Sequence, residues 1–329
     1  MRYSAIGFLA TFTLSLLGAP LAITAQPLGK IAKVGVLEPT PQQHPAPCIF
    51  AFQQGLRDLG YVEGKTILFD YRYGEGQSDR LPALARELIQ HTPDVLWTHS
   101  NPGALALKQA TTTVPIVVGV AIDLVEMGLI KSLPRPGSNL TGLEVRPVEL
   151  AGKRLQLFKE TVPTITRVAV LVDPAWTAHA SIPGAIAREA RALGVQLKRV
   201  EARTPAAFEV AFAAMARDKA DAIMIMESDF FAAHRQQIAA LALQHRLPTM
   251  SYGPHHAEAG SLLAYGADPR ELCQRSAVFV DKILNGAKPA DLPVERADKF
   301  PFVINLKTAK ALGLTIPPPL LARADRVID

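Results

Sequence analysis

The feature that most constrains this chain is a plan that occurs twice. RVAVLVDP, Arg167 to Pro174, matches KVGVLEP from Lys33, and each is followed by a helical segment that ends in Leu-Gly, at Gly60 and at Gly194, at the same spacing from its strand. DAIMIMES from Asp221 answers DVLWTHS from Asp94, and LPTMSYG from Leu247 answers VPIVVGV from Val114, in the same order. Within each half, short apolar runs alternate with segments of helical period. FAFQQGLRDLG is a helix closed by glycine, TILFDYRYG alternates as a strand, and SDRLPALARELIQ is a helix with a polar start. Strict strand–helix alternation implies right-handed crossovers and parallel sheets. The expected fold is therefore α/β, with two doubly wound parallel-sheet lobes joined by a hinge.

Open parallel sheets offer ligands the carboxyl ends of their strands, so two such lobes would face each other across a cleft. In the stretch DVLWTHSNPGALALKQA the third strand runs directly into a polar, proline-set loop at a helix start. PRPGSNLTGLEVRP, Pro134 to Pro147, has the composition of a crossover between lobes. Asn139-Leu140-Thr141 within it is more simply a turn than a glycosylation site.

Other classes lack their chemistry. The 329 residues carry a net charge of +5 with scattered lysines and arginines and few aromatics, so no basic stripe for nucleic acid is present. There is no G-x-S-x-G elbow, no phosphate loop and no G-x-G-x-x-G after a strand, so neither an enzyme nor a cofactor is expected. His255 and His256 are adjacent in a loop, and no i, i+4 histidine pair accompanies a carboxylate, so no metal is expected. Residues 1–25 begin with Arg2, continue without charge and end at Ala25, as a cleaved secretory signal peptide would. The alternative is an uncleaved anchor, which Gly18-Ala19-Pro20 disfavours. Export would permit a disulfide between Cys48 and Cys273, although two buried free thiols fit their wide separation equally well.

RDLGYVEGKTILFDYRYGEGQSDRLPALARELI, the Asp94 stretch, LPRPGSNLTGLEV and KILNGAKPADLPVERADKFPFVINLKTAKALGLTIPPPLLARADRVI together resemble the ABC transporter substrate-binding proteins, of the uncharacterised periplasmic type. The resemblance spans about Lys33 to Ile328. It implies a type I periplasmic binding-protein fold with three crossovers, lobe one comprising 31–143 plus 267–297 and lobe two 144–266 plus 298–329. It also implies a periplasmic monomer that binds a small molecule, an amino acid or related zwitterion for preference, and delivers it to ABC permease subunits. A receptor feeding a sensor kinase or chemoreceptor could use the same pocket. Two loops depart from the family pattern: EPTPQQHPAPC is proline-rich where relatives favour glycine and serine, and Asp173-Pro174 stands where asparagine-proline is common.

Candidate ligand-binding residues follow from the strand ends. Ser100, Asn101, Gly103 and Ala104 open a helix whose first turn leaves N–H groups unpaired beside the positive end of the dipole, which suits a carboxylate. Ser100 or Asn101 could equally be a plain helix cap, and the resemblance favours ligand contact. Asp173 and Asp229 end matching strands in lobe two and could pair a ligand ammonium, or merely cap helices. Asp123 is placed similarly in lobe one. Trp176, in a loop among small residues, and Tyr252 are candidate walls for a planar or apolar group. Trp97, inside a strand, reads as core. Glu38 and Thr40 close the lobe-one side.

Overall fold

A computed structural model of the chain describes residues 31–43, 47–174 and 182–329. The signal peptide and Trp176 expected from the sequence lie outside the described residues.

Two sheets form the frame. The first is ordered β11-β5-β4-β3-β1-β2 and is parallel throughout, with β1 at Ala32–Glu38, β2 at Ile67–Tyr73, β3 at Val95–Thr98, β4 at Ile116–Ile122, β5 at Leu140–Val145 and β11 at Glu295–Arg296. The second is ordered β13-β12-β10-β9-β8-β6-β7. Its strands are β6 at Arg167–Val172, β7 at Gln196–Glu201, β8 at Ala222–Ile225, β9 at Thr249–Ser251, β10 at Leu263–Tyr265, β12 at Phe302–Asn305 and β13 at Arg326–Ile328. The repeat in the sequence thus becomes two doubly wound lobes. One departure from the parallel expectation is β12, which runs antiparallel to β10 because the chain re-enters this sheet from the other lobe. Three passages join the sheets: β5 to the following helix, β10 to the long helix before β11, and β11 to β12.

The central strands are buried on both faces, as helices on either side require. In the first lobe, α1 (Pro47–Asp58) and α10 (Pro269–Leu284) cover one face with Phe52, Leu56, Leu272 and Val280. On the other face α2 (Leu81–Gln90) and α3 (Asn101–Ala110) contribute Leu81, Leu88 and Leu107. Trp97 is core, as its strand position suggested: it stacks on Phe52 at 4.3 Å and its indole N–H donates to Ser276 at 2.8 Å. In the second lobe α4 (Pro147–Thr161) and α5 (Ile182–Ala192) cover one face with Leu155, Phe158 and Ile186. There α6 (Pro205–Arg217) and α8 (Arg235–Gln244) cover the other with Phe208, Phe212 and Ile238.

Cys48 and Cys273 form a disulfide, with 5.3 Å between their Cα atoms. The long separation hid this pairing, because most of the second lobe lies in sequence between α1 and α10, the helices that carry the two cysteines. Gly142 is a glycine that close strand approach demands: its φ is +137° and a Cβ would sit 2.1 Å from the Val118 carbonyl oxygen.

No helix among the described residues is long and apolar enough to cross a membrane.

Candidate ligand-binding cleft

The carboxyl ends of the two sheets face one another and enclose a cavity of about 350 Å³. That lies at the small end of the range for small-molecule sites. In each lobe a strand hands the chain to a serine that caps the next helix. After β3, Ser100 accepts from the Gly103 N–H at 3.2 Å and opens α3. After β8, Ser228 accepts from the Phe230 and Phe231 N–H groups at 3.1 and 3.4 Å and opens α7 (Asp229–Ala233). Both serines line the cavity. The cap and ligand readings of Ser100 are therefore compatible, since a hydroxyl that accepts from Gly103 still has its own proton to donate.

The helix-terminus cradle itself is smaller than expected. Pro102 has no N–H, the Gly103 N–H goes to Ser100, and the Ala104 N–H goes to the Ser100 carbonyl at 2.9 Å. Gly103 serves packing rather than ligand approach, because a Cβ there would lie 2.1 Å from Thr98 Oγ1. Ala104 sits in the core with Leu37 and Leu107. Asn101 borders the cavity, but its amide is committed to the end of β4: Nδ2 donates to the Ile122 carbonyl at 2.7 Å and Oδ1 accepts from the Ile122 N–H at 2.8 Å.

Four charged groups cluster between the lobes. Glu38, fully buried at the end of β1, accepts from the Thr40 backbone N–H at 3.1 Å and hydroxyl at 2.8 Å. Its other oxygen lies 3.2 Å from His99 Nδ1. His99 Nε2 then points across the cleft, 3.7 Å from Asp229 Oδ1. Asp173, at the end of β6, accepts from the Ser228 hydroxyl at 2.8 Å. Thr40 and Asp229 line the cavity, whereas Glu38 and Asp173 lie behind it and hold His99 and Ser228 in place. Asp123 does not reach the cavity either. It turns at φ +52° after β4, and its carboxylate lies 3.7 Å from Arg146. Tyr252 lines the cavity as expected and donates its hydroxyl to the Ser228 carbonyl at 3.1 Å.

Electrostatics sharpen the cluster. Burial opposes the imidazolium of His99, but the charge and hydrogen bond of Glu38, with Asp229 beyond, raise its pKa to about 9. Burial pushes Asp229 up to about 6, against the pull of His99 and with repulsion from Glu38 and Asp173. Burial also raises Tyr252 and, helped by nearby Arg235 and Arg270, lowers His255 to about 4. His256 is driven well below its usual value by burial and by His255. No group of three metal-ligating side chains occurs among the described residues.

A histidine raised in the folded state contributes its full stability below its unfolded pKa of about 6.5 and loses it as pH rises through the folded value. Stability of the folded chain should therefore decline between pH 6.5 and 9 by on the order of 3 kcal/mol. Thermal melting of the wild type across this window should show the decline, and His99→Gln, which keeps a donor for Glu38, should flatten it. Parallel curves for the two proteins would remove His99 as the cause.

Several cavity residues carry no local signal in the sequence. His99 was visible in the loop after β3 but carried no partner until β1 and α7 came together. Arg154, in the Lys153-Arg154 pair, is 1% exposed, ion-paired to Glu227 at 2.5 Å and bonded through Nε to the Tyr265 carbonyl at 2.7 Å. An apolar part of the wall is formed by Val120, Ile122, Val145, Leu150 and Leu272, and Arg235, Gln236, His255 and Arg270 also line the cavity.

With this geometry in hand, similarity to known proteins is informative. A family model described as ABC transporter substrate binding protein matches residues 34–328. A tyrosine-binding protein of Clostridioides difficile (strain R20291) is 23% identical over 263 residues, covering 80% of this chain and 75% of that protein. A conserved domain protein from Vibrio cholerae O1 biovar El Tor has a crystal structure that is 30% identical with a TM-score of 0.83, over 91% of this chain and 100% of that one. An ABC domain from Streptococcus pneumonia solved in complex with L-Trp is 24% identical with a TM-score of 0.82 and the same coverage. Its fold is that of this chain, and the family is one of binding proteins rather than enzymes. From its matched span and its two-lobed architecture, the chain belongs to the ABC transporter substrate-binding protein family.

Proposed function

We propose that this protein is the soluble periplasmic substrate-binding component of an ABC importer and that it captures an amino acid or related zwitterion in the inter-lobe cleft. The observation that carries this reading is a cavity of about 350 Å³ with a carboxylate, Asp229, at one side and an apolar wall at the other. Asp229 pairs the ligand ammonium, while the Ser100 hydroxyl and Tyr252 make neutral polar contacts. Asp173 acts on the ligand through Ser228 rather than directly. Trp176, two residues beyond Pro174 in sequence, is a further candidate wall. The lobes, 31–143 with 267–297 and 144–266 with 298–329, are the moving bodies: they open to admit ligand, close by hinge rotation, and present the closed face to permease subunits. Relatives named for tyrosine and solved with L-Trp support an amino-acid ligand. Such a site needs only about −8 kcal/mol for micromolar affinity.

A thermal-shift screen of the chain from Gln26 against amino acids, organic acids, nucleosides and sugars tests the reading. Ligand at 100-fold over its dissociation constant adds about 2.7 kcal/mol, which raises the melting temperature by several degrees. The reading expects that shift from one class of amino acids. A shift from sugars alone would overturn the zwitterion site.

A further inference from the structure

The cavity holds three arginines, and their partners differ. Arg154 is neutralised by Glu227 at 2.5 Å. Arg270 is held by Asp268 at 2.8 Å and by both oxygens of Glu258, at 2.9 and 3.1 Å. Arg235 has no carboxylate within 4.0 Å among the described residues. Its guanidinium is steadied instead by the Ala232 carbonyl at 2.7 Å, and Ala232 also lines the cavity.

Two physical arguments make this position unusual. Arg235 is the first residue of α8, where the helix dipole is positive, so its charge works against the helix it starts. A guanidinium also cannot escape by losing its proton, so a half-buried one in a closing cleft needs an anion from elsewhere. The neighbouring His255 cannot supply it: the ring is buried and held neutral, and it lines the same part of the cavity.

We propose that Arg235 is the anion anchor of the binding site, pairing a single carboxylate of the bound molecule. This deepens the proposed function and rests on it: the ligand's ammonium goes to Asp229 and its carboxylate to Arg235, both on lobe two, and lobe one closes over them with Ser100 and its apolar wall. Among the described residues, Arg235 is the one cavity-lining arginine without a carboxylate partner, and a single uncompensated guanidinium matches a monoanion.

Calorimetric titration of the full-length mature chain with L-tyrosine, L-tryptophan and benzoate, each beside its carboxamide, separates the possibilities. The wild type should bind a carboxylate at least tenfold tighter than the matching amide. Arg235→Gln should weaken the carboxylate by at least about thirtyfold, as for a buried charge pair that loses one partner, with little change for the amide. Arg235→Lys should recover part of the loss. Unchanged melting temperatures of the ligand-free variants show that the fold is intact. Retention of carboxylate affinity within threefold in Arg235→Gln would overturn the anchor and leave the binding-protein reading standing. Binding of amides but of no carboxylate by the wild type would overturn both the anchor and the zwitterion reading.

Discussion

Breaking the Cys48–Cys273 disulfide lowers the stability of the folded chain by about 5 kcal/mol, the chain-entropy value for a closed loop of this order. The loop between the two cysteines contains β2 to β10, including most of the second lobe, so its closure removes a large share of the freedom of the unfolded chain. On the folded side the bridge joins α1 to α10 over the Trp97–Phe52 stack, and Cys48 and Pro269 border the cavity. The double variant Cys48→Ser with Cys273→Ser, or the wild type under reducing conditions, should melt about 10 °C lower or more. Reduced and oxidised protein melting within two degrees of each other would contradict the pairing or its weight. Because the bridge sits in lobe one, reduction should also soften the cavity wall and weaken ligand binding.

Arg154→Met costs about 3–5 kcal/mol, since it leaves Glu227 buried with no counter-charge. Both side chains are withdrawn from water where α4 of lobe two comes up against the end of β8, and Arg154 also ties down the Tyr265 carbonyl at the end of β10. The pair itself is not a large net stabiliser, because two charges were taken from water to form it. The double variant Arg154→Met with Glu227→Met should therefore recover most of the loss, and urea unfolding of the two variants measures the difference. A single variant costing under 1 kcal/mol would mean that water reaches Glu227.

How far the sequence alone could see follows a physical divide. Strand–helix alternation, the Trp97 core position and the strand-end loops are local periodic features, and the structure carries them as read. Thr40, Ser100, Asn101, Asp229 and Tyr252 follow strands in parallel sheets and so come to line the cavity by topology alone. What was hidden depends on contacts between distant segments. The cysteines meet because α1 and α10 pack together. Arg154 looked like a surface charge until α4 folded over β9 and β10. Glu38 and Asp173 stand where ligand contacts were expected, yet each is spent on a neighbour, His99 or Ser228, one layer behind the cavity. Gly103 and Ala104 belong to packing, because the space beside them is filled by Thr98 and Leu107.

The central claim is that one small zwitterion is held between Asp229 and the far wall of the cleft while the lobes close. The most direct measurement is calorimetric titration of the wild type and of Asp229→Asn with the amino acid that gives the largest thermal shift. The account predicts one site per chain with micromolar or tighter affinity, and a loss of at least tenfold in Asp229→Asn for the amino acid but not for its deaminated analogue. Equal loss for both compounds, or unchanged affinity for the amino acid, would contradict it.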